Sequence, residues 1–125
     1  MSAPTMSTDQ MLAALRVRAL RVCSLSLEIN VRGIAQAFVD VYGHTHSMYA
    51  DLRPADTVFP ENGEPRPEIA NLNLRFYAYD FHDHEEQQED MQEQADAADQ
   101  YIAYLELLLA KGQPVTVADV GSEAA

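Results

Sequence analysis

Apolar positions recur along this chain with two different periods. Met11, Leu12, Leu15, Ala19 and Val22 return every three or four places, which gathers them on one helical face, leaves Arg16 and Arg18 off it and predicts a helix over 8–20. Ser7 or Thr8 can cap the start of that helix, and Asp9 suits its first turn. From Val22 to Arg32 the period shortens. Leu25, Leu27, Ile29 and Val31 alternate with Ser24, Ser26, Glu28 and Asn30, which predicts a half-wetted strand. The same residues also allow the first helix to run on to about Glu28, because Leu and Glu favour helix. Arg32-Gly33 then turns the chain.

The stretch Ala37–Arg53, AFVDVYGHTHSMYADLR, predicts a hairpin folded about Gly43. Phe38, Asp40 and Tyr42 alternate with Val39 and Val41, and Met48 and Ala50 alternate with Tyr49 and Asp51. Gly43 can supply the positive φ of a tight connection. Residues 54–70 predict a long surface loop, since Pro54 to Pro67 carries four prolines, Gly63 and several acids. Leu72, Leu74, Phe76 and Ala78 alternate with Asn73, Arg75, Tyr77 and Tyr79, which predicts a further strand. Met91, Ala95, Ala98, Ile102, Leu105 and Leu109 then mark a long helix that ends at Lys111-Gly112, with Pro114 just beyond. Ala95 and Ala98 permit close approach to a sheet or helix. Val115–Val120 predicts a short extended piece.

The expected architecture is therefore α+β: an N-terminal helix, an antiparallel sheet of three or four strands, and a long C-terminal helix packed on one face. Its 125 residues suit a single domain, 1–125, with 1–7 and 113–125 as flexible tails. One cysteine, Cys23, excludes an internal disulfide and a thiolate zinc cluster, and fits a reducing, cytoplasmic setting. No apolar run is long enough to cross a bilayer, and MSAPTMSTDQ lacks the layout of a signal peptide, so no membrane association is expected.

Charge changes the picture more. Twenty acids against eight bases give a formal charge of −12, which argues against direct nucleic-acid binding. The imbalance is local. Asp80 to Asp99 holds nine acids and neither Lys nor Arg, whereas Met1 to Ala35 holds Arg16, Arg18, Arg21 and Arg32 against Asp9 and Glu28. On a helix, Glu85, Glu86, Glu89, Asp90, Glu93, Asp96 and Asp99 would make either a solvated face or a rigid negative stripe that could enter a basic groove made for nucleic acid. Tyr77 and Tyr79, with Tyr42 and Tyr49 on the hairpin, are of the type favoured as interface anchors.

All four histidines fall in His-x-His pairs, His44/His46 and His82/His84. On extended backbone each pair could turn two imidazoles toward zinc or another transition metal, with Asp83, Glu85 or Glu86 adding oxygen. No zinc-protease helix, nucleotide-binding glycine loop or nucleophile elbow occurs, so no catalytic residue is assigned and no cofactor is expected on the main reading.

The segment FVDVYGHTHSMYADLR after an amphipathic helix resembles an aromatic-Gly-His hairpin of small temperate-phage and mobile-element proteins. Small size, acidity and the lack of a catalytic motif are similar in kind to phage anti-defence proteins, of which anti-CRISPR proteins are the known group. That resemblance implies a non-enzymatic inhibitor that occupies the nucleic-acid groove of a host complex. The expected function is thus a module binding a host protein or complex with a basic surface. Its alternatives are a metal-dependent protein using the histidine pairs and a homo-oligomer joined through the alanine-rich seam of the last helix.

Overall fold

The computed structural model describes residues 6–58 and 67–124. Its elements are α1 (Thr8–Arg32), β1 (Ala35–Tyr42), β2 (Ser47–Pro54), β3 (Ala70–Arg75), α2 (His84–Lys111) and α3 (Val117–Ala124). The architecture is α+β, with one three-stranded antiparallel sheet in the order β1-β2-β3. No fourth strand occurs among the described residues.

The alternation over 22–31 does not make a strand: α1 continues unbroken to Arg32. Val22, Leu25 and Ile29 extend the stripe begun by Leu15 and Ala19, and all five are buried. Leu27 and Val31 point the other way, 67% and 86% exposed. An apolar residue at every second place satisfies both periods, and nothing before Gly33 interrupts a helix. Ser7 caps the start reciprocally with Gln10. Gly33, at φ 68°, ends the helix in the left-handed region and donates back to its last turn.

Asn30 then fixes the direction of β1. Its side-chain amide donates to the Ala37 carbonyl at 2.9 Å and accepts from the Ala37 amide at 2.7 Å. The expected hairpin follows, with Tyr42 opposite Ser47 and Ala35 opposite Pro54. Its inward side carries Ala35, Ala37 and Val39 paired with Pro54, Leu52 and Ala50, while Val41, opposite the buried Met48 near the tip, is exposed. At the tip the expected roles change hands. His46, not Gly43, takes the positive φ, at 49°.

β3 is shorter than its alternation suggested, and Tyr77 and Tyr79 lie beyond it. The Arg75 amide donates to Gln94 Oε1 of α2 at 2.6 Å, which draws the chain off the sheet. The long loop between β2 and β3 falls largely outside the described residues, as do residues 1–5 of the expected leader.

The two long helices run parallel. Thr8 meets Gln87, Arg18 meets Asp99, and Arg32 reaches the Leu109 carbonyl, so both chain directions advance together. Ala95 and Ala98, buried with Met91, Tyr101, Leu105 and Leu108, let α2 approach closely. The alanine seam is thus inside the molecule, which corrects its assignment as a surface for a second copy.

The expected extended piece at 115–120 is one residue long. Val115 donates to the Ile34 carbonyl and accepts from the Ala55 amide, both at 2.8 Å, and the chain then enters α3. Thr116 and Asp119 cap that helix reciprocally, so 117–124 is helical rather than extended.

Leu25→Ala should cost about 2–4 kcal/mol in urea unfolding of dilute protein, whereas Leu27→Ala should stay within about 0.5 kcal/mol. A strand would have placed both on one face, so equal costs would contradict the helix.

Candidate functional site

The acidic segment folds as the first half of α2, and its register sorts the carboxylates. Asp83 is the N-cap, accepting from the Glu86 amide at 2.8 Å, while Glu86 accepts from the Asp83 amide at 3.0 Å. Met91, Ala95 and Ala98 face the core. The opposite side therefore carries Glu85, Glu89, Glu93 and Asp96, all exposed and spaced by four, four and three residues. Asp96 accepts from Gln92 at 2.9 Å. None of these four pairs with a base among the described residues.

The other predicted members are partly neutralised. Asp99 is paired with Arg18 at 2.8 Å on the α1 side, and Asp90 is ion-paired with Arg75 on the sheet side. The stripe is consequently narrower than the seven-residue set, and its two flanks are anchored to the fold. Glu106 further along faces Arg21 at 3.8 Å, an exposed contact of little energetic weight.

Beside the start of the stripe lies an aromatic cluster that the sequence indicated only in part. The chain from Arg75 to His84 turns on itself, because Gln87 Nε2 donates to the Tyr79 carbonyl at 3.2 Å. Tyr79 stacks on Phe81 with ring centroids 4.9 Å apart, and Tyr77 meets the Tyr79 ring edge-on at 5.7 Å. The Arg75 guanidinium lies 4.0 Å from the centre of the Tyr79 ring while holding Asp90. Phe81 is 79% exposed, an unusual placement for a large apolar ring. Tyr77 and Tyr79, expected as interface anchors on a strand, lie in this cluster just beyond β3. Arg75 and Phe81 join them without being among the expected site residues, although an aromatic residue at each of 77, 79 and 81 is a readable signal.

Between the first turns of α1 and α2 an open groove of about 580 Å³ is lined by Met6, Met11, Met91 and Arg18, with Glu89 on its rim. Flexible methionine surfaces of this type adapt to varied apolar partners. Stripe, aromatic cluster and methionine groove thus share the N-terminal half of α2.

The histidines do not gather. His44 and His46 are exposed in the hairpin turn, His82 packs against Tyr79 and Phe81, and His84 opens α2. Among the described residues no three His, Cys, Asp or Glu side chains converge to hold a metal ion. Tyr42 is exposed at the end of β1, and the Tyr49 hydroxyl donates to Glu68 at 3.2 Å.

A second polar cluster serves the sheet rather than a site. Arg53 holds Asp51 at 2.9 Å and lies 4.0 Å from Glu68, and Glu68 also accepts from Asn71. Nearby Tyr101 is buried, its hydroxyl without a hydrogen-bond partner among the described residues. Burial first, then the negative charges of Asp51 and Glu68, push its pKa above the ordinary tyrosine value.

No helix among the described residues is long and apolar enough to cross a membrane. Compared with protein-family models, curated proteins and solved structures, the chain has no match.

Two outcomes follow from this geometry. Asp90→Asn should cost about 1–3 kcal/mol and raise amide hydrogen exchange across 75–84, because Arg75 loses the partner that holds it over Tyr79. The unfolded chain releases the Tyr101 proton near pH 10 while the folded chain retains it, so stability is complete below that pH and falls above it. Tyr101→Phe should flatten this alkaline loss and leave neutral-pH stability equal or up to about 1 kcal/mol higher, as read by urea unfolding at each pH.

Proposed function

We propose that this chain is a non-enzymatic protein-binding module that presents the outer face of α2 to a basic surface on a protein partner. The observation that carries the reading is the row Glu85, Glu89, Glu93 and Asp96, solvent-facing and without a base among the described residues, next to an exposed aromatic cluster. Carboxylates kept only for solubility need no neighbouring Phe81 in water. Charge for steering and an aromatic anchor for residence are together what a protein interface uses.

The partner's chemistry follows from the row's dimensions. The eleven helical steps from Glu85 to Asp96 rise about 16 Å at 1.5 Å per residue. That equals about five phosphates at 3.4 Å per step of one strand. A rigid rod of that charge and length fits a groove built for nucleic acid, so the module acts as an inhibitor of a nucleic-acid-handling complex, of the anti-CRISPR kind. Direct nucleic-acid binding is disfavoured by the same charge. The free, half-buried Cys23 suits a reducing cytoplasmic setting.

Binding to the protein captured from the native host should weaken steeply as salt rises, mainly through slower association. The fourfold variant Glu85→Gln, Glu89→Gln, Glu93→Gln, Asp96→Asn should lose at least about tenfold in affinity, a matter of about 1.4 kcal/mol, with its far-UV spectrum unchanged. Phe81→Ala should accelerate dissociation. Affinity indifferent to both salt and the fourfold variant would remove the acidic face from the contact.

A further inference from the structure

The side of α1 turned away from the core carries an apolar stripe that neither the monomer's packing nor the acidic face uses. Ala13, Val17, Leu20, Ser24, Leu27 and Val31 follow one another at four-three-four-three-four spacing, directly opposite Leu15, Ala19, Val22 and Ile29. Val17, Leu20, Leu27 and Val31 are 67%, 70%, 67% and 86% exposed. Scattered exposed aliphatics are ordinary, but a continuous heptad row of them on one helix is the pattern of a coiled-coil seam. Valine occupies two of the three a-type positions and leucine two of the three d-type positions, so the seam is aliphatic on both sides of its single Ser24.

We infer that α1 pairs with α1 of a second copy of this chain, antiparallel, to form a two-fold dimer. The flanking charges select both the occupant and the direction. Arg21 and Glu28 lie on the same shoulder of the seam, one heptad apart. In an antiparallel pair with Leu20 against Val31 and Ser24 against Leu27, Arg21 of each copy meets Glu28 of the other, twice by symmetry. A parallel pair would instead set Arg16 against Arg21. The present partners of these side chains are weak. Arg21 lies 3.8 Å from Glu106 and Glu28 lies 3.8 Å from Arg32, both in exposed pairs that can exchange.

Self-association also suits the charge distribution. The chain's net charge of −12 opposes dimerisation through most of its surface. α1, with four arginines against Asp9 and Glu28, is where that repulsion is least. In this register the overlap of the two helices runs from Leu20 to Val31, because Val17 and Ala13 would face positions beyond the end of the partner's α1; so short a seam lies at the small end of stable interfaces, and the dimer should dissociate on dilution. The pairing leaves Glu85, Glu89, Glu93 and Asp96 unused, so it stands or falls separately from the partner reading.

Sedimentation equilibrium of the full chain over a wide concentration range tests this. A reversible monomer–dimer equilibrium is expected. Leu27→Glu and Val31→Glu, at positions exposed in the monomer, should abolish it with unchanged helical circular dichroism. Arg21→Glu or Glu28→Arg alone should weaken the dimer about tenfold, and the two together should regain most of that loss. A wild-type chain that stays monomeric throughout, or a dimer indifferent to Leu27→Glu, overturns the proposal. A dimer lost with Leu27→Glu that the double charge exchange fails to regain overturns the antiparallel pairing.

Discussion

The contact on which the rest depends is the parallel packing of α1 on α2. Two helices that run the same way cannot be joined by a short turn, so the chain must travel back between them, and the sheet is that return path. β1 runs back from Gly33, β2 forward, β3 back again, and α2 then starts beside the first turn of α1. Ala95 and Ala98 make the approach close, and Leu15, Val22, Leu105 and the sheet residues Met48, Leu52 and Leu74 fill the space beneath. Polar contacts at both ends and the middle, Thr8 to Gln87, Arg18 to Asp99 and Arg32 to the Leu109 carbonyl, set the register of one helix against the other.

That register also decides which charges are available. With Met91, Ala95 and Ala98 committed to the core, the carboxylates at 85, 89, 93 and 96 must face water. Those at the two borders meet a base: Asp99 finds Arg18 and Asp90 finds Arg75. The same requirement on α1 leaves Leu20, Leu27 and Val31 outside once Leu25 and Ile29 are inside. Packing of one pair of helices thus creates two outward surfaces of opposite character, one acidic and one aliphatic.

Local pattern made the hairpin, α2 and the α+β class readable, because alternation and helical spacing there point to one answer each. The second half of α1 was ambiguous because Leu25, Leu27, Ile29 and Val31 fit both periods. What settles it is continuity with Leu15, Ala19 and Val22, a relation that spans more residues than a strand-length window. The end of β3 was hidden for a different reason. It depends on Gln94 and Asp90, which reach Arg75 from another element, and no local rule contains that contact. The charge run was plain in the sequence, but its partial neutralisation by Arg18 and Arg75 is a tertiary fact. The histidine pairs show the converse, since adjacency in sequence did not bring a third ligand near them among the described residues.

Val115 sits where β1 and β2 part company. Ala35 and Pro54 are the last facing pair, and instead of Ile34 and Ala55 bonding each other, each bonds Val115. The residue works as a wedge at the open end of the sheet, delivered there by α2 through only three intervening positions after Lys111. The strands therefore cannot zip shut at that end or separate from it without α2 shifting too. Opening of the sheet and detachment of α2 are thereby tied together, so a residue late in the chain guards the first strand laid down.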